Sequence, residues 1–594
     1  MVRAKEKDAM ATSLEESRQQ LLASAAEMVD RHEGGSAELL LTRYYRHMLT
    51  EDLLARRSED LLGAVVSHRS LAHERPVGMP KVRVFTPSVE QEGWSTGNTV
   101  IEIVTDDMPF LVDSVSAELA RQGRVLHLMV HPQMVVRRDA AGVLQEVLDR
   151  DVADAPEEFG ITTESWMHLQ IGRESDPAER ERLAGSLLQI LEDVRLSVED
   201  WPRMAARASA VAEQLRDDPP VGIDAERVGQ VRGLLEWMAT DQFTFLGYRQ
   251  YRLVEKDGRP AQIPISGTGL GLLRHDGPSE TVDSIDRVSF LPPGPVADKA
   301  AEKRLEVITK ANSRSTVHRS AYLDYVGIKT FDAAGEVTGE HRFLGLFTAS
   351  AYTWSVKTVP YLSEKVASII ERSGFAPDSH LGKDLLGVLE TYPRDELFQA
   401  DVGVLTDTAV AVVHLREQRR TRLFLRQDEY NRFMSCLVYL PRDRYTTPVR
   451  LRMEALLKEA FNGANVEYTT RVSESSLARL HFVVRVEPGE SLPAVDVEEL
   501  QRRLIDTTRS WDEDLADSAR GEYGEEQGSR LVSKYRHGFP EGYKADFTPR
   551  IAVADLRHLE ELTEEGQFRL NLYQPTSAPQ GSAGSSCTGA AGSP

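Results

Sequence analysis

Cysteine is nearly absent from this 594-residue chain, which holds only Cys436 and Cys587. A disulfide framework needs cysteines in number, so none is expected, and a reducing cytoplasmic compartment is the expected location. Long apolar runs are lacking too. No stretch approaches the roughly eighteen uninterrupted apolar residues of a membrane span. Residues 1–17 contain no apolar core of signal-peptide length. Positive charge is in deficit: 71 Lys and Arg stand against 93 Asp and Glu, a formal net charge of −22. Phosphate contacts need a basic face and anionic membranes attract basic segments, so neither nucleic acid nor membrane is expected as a partner. Walker A, GxSxG, HExxH and CxxC patterns do not occur. The glycines of Gly267, Gly269 and Gly271 come one residue short of a GxGxxG fingerprint and read as a flexible loop. His127 and His131 fall in a predicted strand, where positions four apart are separated by ~13 Å, too far to share one metal ion. No catalytic residue, cofactor-binding residue or metal ligand is therefore assigned.

What is present is ordinary globular material, 41% hydrophobic and 28% charged, over a length that calls for three or more domains. Residues 1–12 read as loose and 13–32 as a helix, with further helices over 37–73. From residue 82 the texture becomes mixed. Strands are expected at 82–85, 99–105, 124–136, 143–148 and 164–172, with a helix over 110–121 between the early ones. Helices follow at 177–215 and 226–240. Strands are expected over 243–252 and on both sides of Asp332-Ala333-Ala334-Gly335, a hairpin signal. Helices are expected at 360–372 and 382–392. A second mixed unit shows strands at 422–425, 433–440, 466–472 and 480–486 around a helix at 448–461. Residues 495–519 read as helical, and 568–573 as a strand. The uncharged tail SAPQGSAGSSCTGAAGSP cannot bury enough surface to offset the entropy of ordering and is expected to be disordered.

One local pattern points toward binding. In TDDMPFLVD (105–113) a strand ends, two carboxylates sit in the turn, and a helix opens behind a proline. Free N–H groups at a helix start can hold a carboxylate, and nearby acids can hold an ammonium. Asp106, Asp107, Met108 and Pro109 are thus the candidate site for an amino-acid effector. The plainer reading, which the residues favour, has Asp107 capping the helix and Asp106 solvated. His318 reads as an isolated, packed or surface histidine.

This strand–DxP–helix pattern is similar to ACT domains, the βαββαβ modules of amino-acid-regulated enzymes, except that Phe110 stands where the typical turn has glycine. Longer strings extend the resemblance: DMPFLVDSV (107–115), ESWMH (164–168), FTFLGY (243–248), KANSRSTVHR (310–319), FLGLFT (343–348) and YPRDELF (392–398). In that order they resemble the N-terminal region of the large, 180-kDa-class bacterial NAD-specific glutamate dehydrogenases. The resemblance implies an α+β multidomain chain of ACT-like (ferredoxin-like βαββαβ) units joined by helical segments, with no complete Rossmann domain in it. The expected divisions are a tail and helix (1–35), a first ACT-like domain with leading helices (36–173), a helical connector (174–240), a mixed region (241–399) and a second ACT-like domain (400–487). A second connector (488–545), the start of a third ACT-like unit (546–576) and the disordered tail (577–594) complete the chain. The resemblance implies a regulatory and assembly role, self-association, and an amino-acid effector. It also implies NAD for the full-length relative only, with no dehydrogenase activity for this chain alone. The switch in composition after residue 576 points to a reading frame cut short. The rival expectation is a stand-alone amino-acid-binding or oligomerisation protein built of ACT-type units.

Overall fold

The computed structural model describes residues 2–28, 34–156, 158–256, 259–274, 289–290, 299–418, 420–473, 475–487, 489–560, 568–573 and 584–589. The chain divides into two compact units. One comprises 1–369 with Arg394–Gln399, and the other 370–393 with 400–594.

In the first unit, β1 (Lys81–Phe85), β2 (Thr99–Asp106), β3 (Leu126–Val130), β4 (Gln133–Arg138), β5 (Leu144–Val147) and β6 (Ile161–Ile171) form one antiparallel sheet. Its order is β1-β2-β6-β4-β5, with β3 also paired to β6. The strand expected over 124–136 is split between β3 and β4 at His131-Pro132, because proline cannot donate to the ladder. Period-two alternation places Ile101 and Ile103 in one core and Val104 in another, so both faces are covered. Helices Gly34–Tyr44 and Ser58–Ala72 supply Leu40, Leu41, Leu61 and Val65 to the face carrying Trp166. Helices Leu111–Arg121 and Pro177–Asp217 supply Val115, Leu119, Leu187 and Val194 to the face carrying Met167 and Leu169.

The 41-residue helix Pro177–Asp217 also touches a second sheet. That sheet comprises β7 (Phe243–Lys256), β8 (Arg259–Pro264), β9 (Leu270–Gly271), β10 (Ser289–Phe290), β11 (Glu306–Arg314), β12 (Tyr322–Phe331) and β13 (Val337–Phe347). The order is β10-β8-β7-β13-β12-β11, with β9 on β7, and every pair is antiparallel. The glycine loop expected to be flexible is pinned. Gly271 has φ +58°, and a Cβ there would lie 2.2 Å from the Leu246 carbonyl oxygen. Its N–H donates to Asp200 at 2.8 Å.

The second unit contains β14 (Arg422–Gln427), β15 (Phe433–Pro441), β16 (Asn465–Arg471) and β17 (Leu477–Arg485) in the order β14-β15-β17-β16. Val438, Leu440, Leu480 and Phe482 share a core with Met453 and Leu457 of helix Thr447–Ala460. Leu500 and Leu504 join it, so helix Val497–Thr507, expected in the connector, packs on the sheet. Helix Val402–Gln418, expected to open the domain, touches helix His380–Thr391 instead. Helices Trp511–Tyr523, Glu525–Tyr535 and Pro549–Glu560 share a core of Leu515, Leu531 and Leu556. The residues expected to open a third ACT-like unit therefore begin as a member of this helical cluster.

Both ACT-like sheets depart from the expected element order. The second runs strand, strand, helix, strand, strand, helix. In the first, β1 and β2, with the one-turn helix Val89–Glu92 between them, are followed by helix Leu111–Arg121, four strands and helix Pro177–Asp217, so neither is βαββαβ. The edge strand that the expected order supplies last comes first here, as β1 and as β14. Each pairs antiparallel with the strand that follows it in the chain. An edge strand needs one neighbour only, so either end of the chain can fill it.

Two expectations of disorder are corrected. Helix Val2–Glu27 runs through residues expected to be loose. Within the tail, β19 (Gly584–Gly589) pairs with β18 (Phe568–Tyr573). Backbone N–H and C=O groups can form a ladder without large side chains. Residues 577–583 and 590–594 lie outside the described residues.

Candidate functional site

The turn between β2 and helix Leu111–Arg121 holds the four residues singled out from sequence. Asp107 does not cap the helix. Its carboxylate accepts from Ser165 Oγ at 2.6 Å and from Gln133 Nε2 at 2.7 Å. The cap position belongs to Phe110, in the left-handed region at φ +74°, with no side-chain cap. Asp106 is not merely solvated either. It pairs with the fully buried Arg75 and accepts from the Gly78 N–H at 3.1 Å. Met108 packs against the core shared by the two sheets, and Pro109 is exposed. A cavity of about 360 Å³ lies over residues 107–113, with His131 and Gln133 on its wall.

Below the turn is a buried charge network that sequence reading missed. Glu164 accepts from Arg75 Nε at 3.0 Å, from Arg138 Nε at 2.6 Å and from Trp166 Nε1 at 2.9 Å. Burial opposes the Glu164 charge, but the Arg138 hydrogen bond and both guanidinium charges outweigh it, holding the carboxyl below its ordinary range. His131 Nε2 lies 2.7 Å from Ser165 Oγ, the hydroxyl that donates to Asp107. Burial lowers the His131 pKa. The hydroxyl sits between His131 and Asp107, whereas a nucleophilic triad puts the histidine between acid and nucleophile. The arrangement holds the turn onto β6 and supplies no activated nucleophile.

On the helix side, the turn meets the loop after β11. Phe110 stacks on Trp201 at 6.0 Å between ring centroids and lies 5.0 Å from His318. His318 is not isolated: its N–H donates to Ser114 Oγ at 2.9 Å, and its Nδ1 lies 3.0 Å from Asp113. Val317 is fully buried between them. The strings DMPFLVDS and SRSTVHR, some 200 residues apart, thus dock on each other.

A second cluster joins the start of KANSRSTVHR to two more strings, FLGLFT and YPRDELF. Lys310 Nζ lies 2.6 Å from Asp324 and 3.4 Å from Asp395, whose carboxylate also accepts from Tyr352 Oη at 3.1 Å. Burial opposes the Lys310 charge, and the two carboxylates outweigh it and raise its pKa. Phe347 donates its N–H to Asp324 at 3.1 Å. Among the described residues, no group of three or more His, Cys, Asp or Glu is placed to hold a metal ion.

Comparison with known proteins decides the kinship. Four glutamate dehydrogenase domain families match: the ACT1 domain at 40–187, helical motif 1 at 359–418, the ACT2 domain at 422–512 and helical motif 2 at 520–562. The NAD-specific glutamate dehydrogenases of Halomonas elongata and Pseudomonas aeruginosa are each 37% identical, over 94% and 90% of this chain. That of Mycobacterium tuberculosis is 32% identical over 85%. The chain belongs with the N-terminal region of NAD-specific glutamate dehydrogenases. It spans about a third of the length of these relatives: 34%, 32% and 30%. Helical motif 1 covers helix Val402–Gln418, and the ACT2 domain covers helix Val497–Thr507, in line with their packing. Among the described residues, no helix is long and apolar enough to cross a membrane.

Proposed function

We propose that this chain is a regulatory and assembly region of an NAD-dependent glutamate dehydrogenase. The whole enzyme would oxidise L-glutamate to 2-oxoglutarate and ammonia and pass hydride to NAD in the cytoplasm. The observation that carries this reading is the succession of two ACT-like sheets and two helical motifs along one chain, each matched by a glutamate dehydrogenase domain family. The hydrogen-bonded residues at the first turn hold backbone in place and present no acid–base pair to a substrate. Chemistry is therefore assigned to the remainder of the enzyme, and self-association and effector response to this region. The cavity over 107–113 is the entry point for an amino-acid effector in this reading. Asp106 and Asp107 are committed to Arg75, Ser165 and Gln133, and Asp113 lies against His318, so the N–H groups of the helix start are left to meet the ligand.

The test has two parts. Purified chain with L-glutamate and NAD is expected to produce no NADH above buffer; turnover sensitive to mutation would refute the assignment. Removing the matching segment from a full-length relative is expected to change subunit number and effector response while NAD still binds. An unchanged assembly with unchanged effector response would refute the regulatory role.

A further inference from the structure

The second ACT-like unit carries a cavity of about 470 Å³ where β14 begins and β15 ends, against helix Val497–Thr507. Arg420, Arg422 and Arg444 line it, over apolar surface from Leu415, Pro441 and Ile505. Among the described residues, none that lines it is acidic. In a chain with 93 acidic and 71 basic residues, three guanidiniums around a hollow with no carboxylate among its described lining residues run against the overall balance. Arg444 bonds Glu513 at 2.6 Å, outside the lining. Neither Arg420 nor Arg422 has a carboxylate partner among the described residues.

The wall bearing Arg422 is fixed. Its backbone pairs with Tyr439, and the next N–H, from Leu423, donates to Gln501 Oε1 at 3.1 Å. That bond uses the acceptor of the Gln501 side chain and orients its amide, which also lines the cavity. Guanidiniums present planar forks that match carboxylate and phosphate oxygens. Two guanidiniums lining one hollow both gain from an anion placed between them.

We propose that this cavity binds a small dianion, with the charge held by Arg420 and Arg422 and any short hydrocarbon portion lying on Leu415, Pro441 and Ile505. Aliphatic dicarboxylates and phosphate share this chemistry. The inference deepens the regulatory reading by naming a ligand class, but binding by the isolated chain and control of a dehydrogenase are read separately, so either can fail alone.

The test is isothermal titration of the full chain with succinate and, separately, with inorganic phosphate, against chloride at matched ionic strength. Saturable binding of either dianion at one site is expected. Succinate alone would identify a dicarboxylate site, phosphate alone a phosphate site, and both support the proposal. Arg420→Gln and Arg422→Gln are each expected to raise Kd by at least about tenfold, the equivalent of ~1.4 kcal/mol for a lost charge-assisted bond. Arg471→Gln, on β16 and outside the lining, is expected to leave Kd unchanged. Should the Gln variants fail to fold, Arg422→Lys keeps the charge but loses the fork, and about fivefold weaker binding is expected. No binding of either dianion, or affinity indifferent to these substitutions, overturns the proposal.

Discussion

Glu164 is the residue on which the first turn depends. It is fully buried with two buried guanidiniums against it, and Asp106 completes the neutralisation of Arg75. Removing one partner of such a network leaves buried charge uncompensated, which costs about 3–5 kcal/mol. Glu164→Gln keeps the shape and deletes the charge, so a loss of that size is expected in urea unfolding followed by far-ultraviolet dichroism. A change below 1 kcal/mol, on the order of a surface pair, would mean the network is hydrated. Since the folded-state pKa of Glu164 is lowered, its contribution is present above the ordinary carboxyl range and is lost as pH falls through the folded value. His68 and His168 act at higher pH. Burial, helped by their charged neighbours, lowers each to about 3, so both are neutral when folded. The unfolded chain binds protons that the folded chain refuses. Stability is therefore complete above the ordinary histidine value and falls as pH drops from about 6.5 toward 3, with a slope near 1.4 kcal/mol per pH unit for each histidine. Replacing His168 with Phe is expected to flatten that slope between pH 6.5 and 5. An unchanged slope would place the proton uptake elsewhere.

At the scale of elements, the helix entry at Phe110 combines a conformational penalty with an aromatic contact. An L-residue in the left-handed region costs roughly 1–2 kcal/mol, and here stacking on Trp201 and a tilted ring contact with His318 offset it. Phe110→Ala keeps the penalty and loses the stacking, whereas Phe110→Gly loses both. The Gly variant is expected to be the more stable by about 1 kcal/mol, despite glycine's greater freedom when unfolded. The opposite ranking in thermal melts would show that the turn relaxes. The short helix Arg394–Gln399 shows a different kind of anchoring. Phe398 lies parallel to Phe347 at 4.7 Å, and Lys365 Nζ donates to the Leu397 and Phe398 carbonyls at 2.9 and 3.0 Å. Phe398→Ala is expected to cost about 3–5 kcal/mol and to remove hydrogen-exchange protection from residues 394–399. Protection equal to the parent would assign the anchoring to the Lys365 hydrogen bonds and the Lys310–Asp395 pair.

Local signals made most elements readable from sequence. Asp332-Ala333-Ala334-Gly335 and Asp139-Ala140-Ala141-Gly142 are the same tetrapeptide and adopt the same turn. In each, the Asp side chain accepts from N–H groups two and four residues on, and Gly has positive φ. The four strands of the second unit were likewise marked by apolar runs, whereas β8 to β11 of the first unit's second sheet carried no such mark. What escaped were features set by distant partners. Nothing near Asp107 announces that Ser165 and Gln133 will take its oxygens, so the cap reading was locally sound and wrong. His318 looked isolated because Ser114 and Asp113 lie about 200 residues earlier in the chain. ESWMH did single out Glu164 and Trp166 as a string, but its role needs Arg75 and Arg138, which no local pattern connects to it. The placement of β1 and β14 at sheet edges is a matter of topology, on which alternation along a single strand carries no information.

For the whole molecule, the decisive feature is that the two compact units bury separate cores. Val438, Leu480 and Phe482 belong to one, and Ile103, Leu187 and Leu346 to the other. Chains built this way need not unfold in one step. Cys436 offers a local reporter because its thiol is fully buried within the sheet core of the second unit. With Cys587→Ser as background, thiol labelling against urea reads the opening of the second core alone. Glu164→Gln should then lower the unfolding midpoint of the first unit and leave the Cys436 labelling midpoint where it was, since the altered residue and the reporter share no core. Succinate or phosphate, if bound at Arg420 and Arg422, should do the converse, raising the labelling midpoint by mass action without moving the first transition. Shifts in both transitions from either perturbation would mean that the units unfold together. A charge deleted under the first turn would then be felt at the arginine-lined cavity.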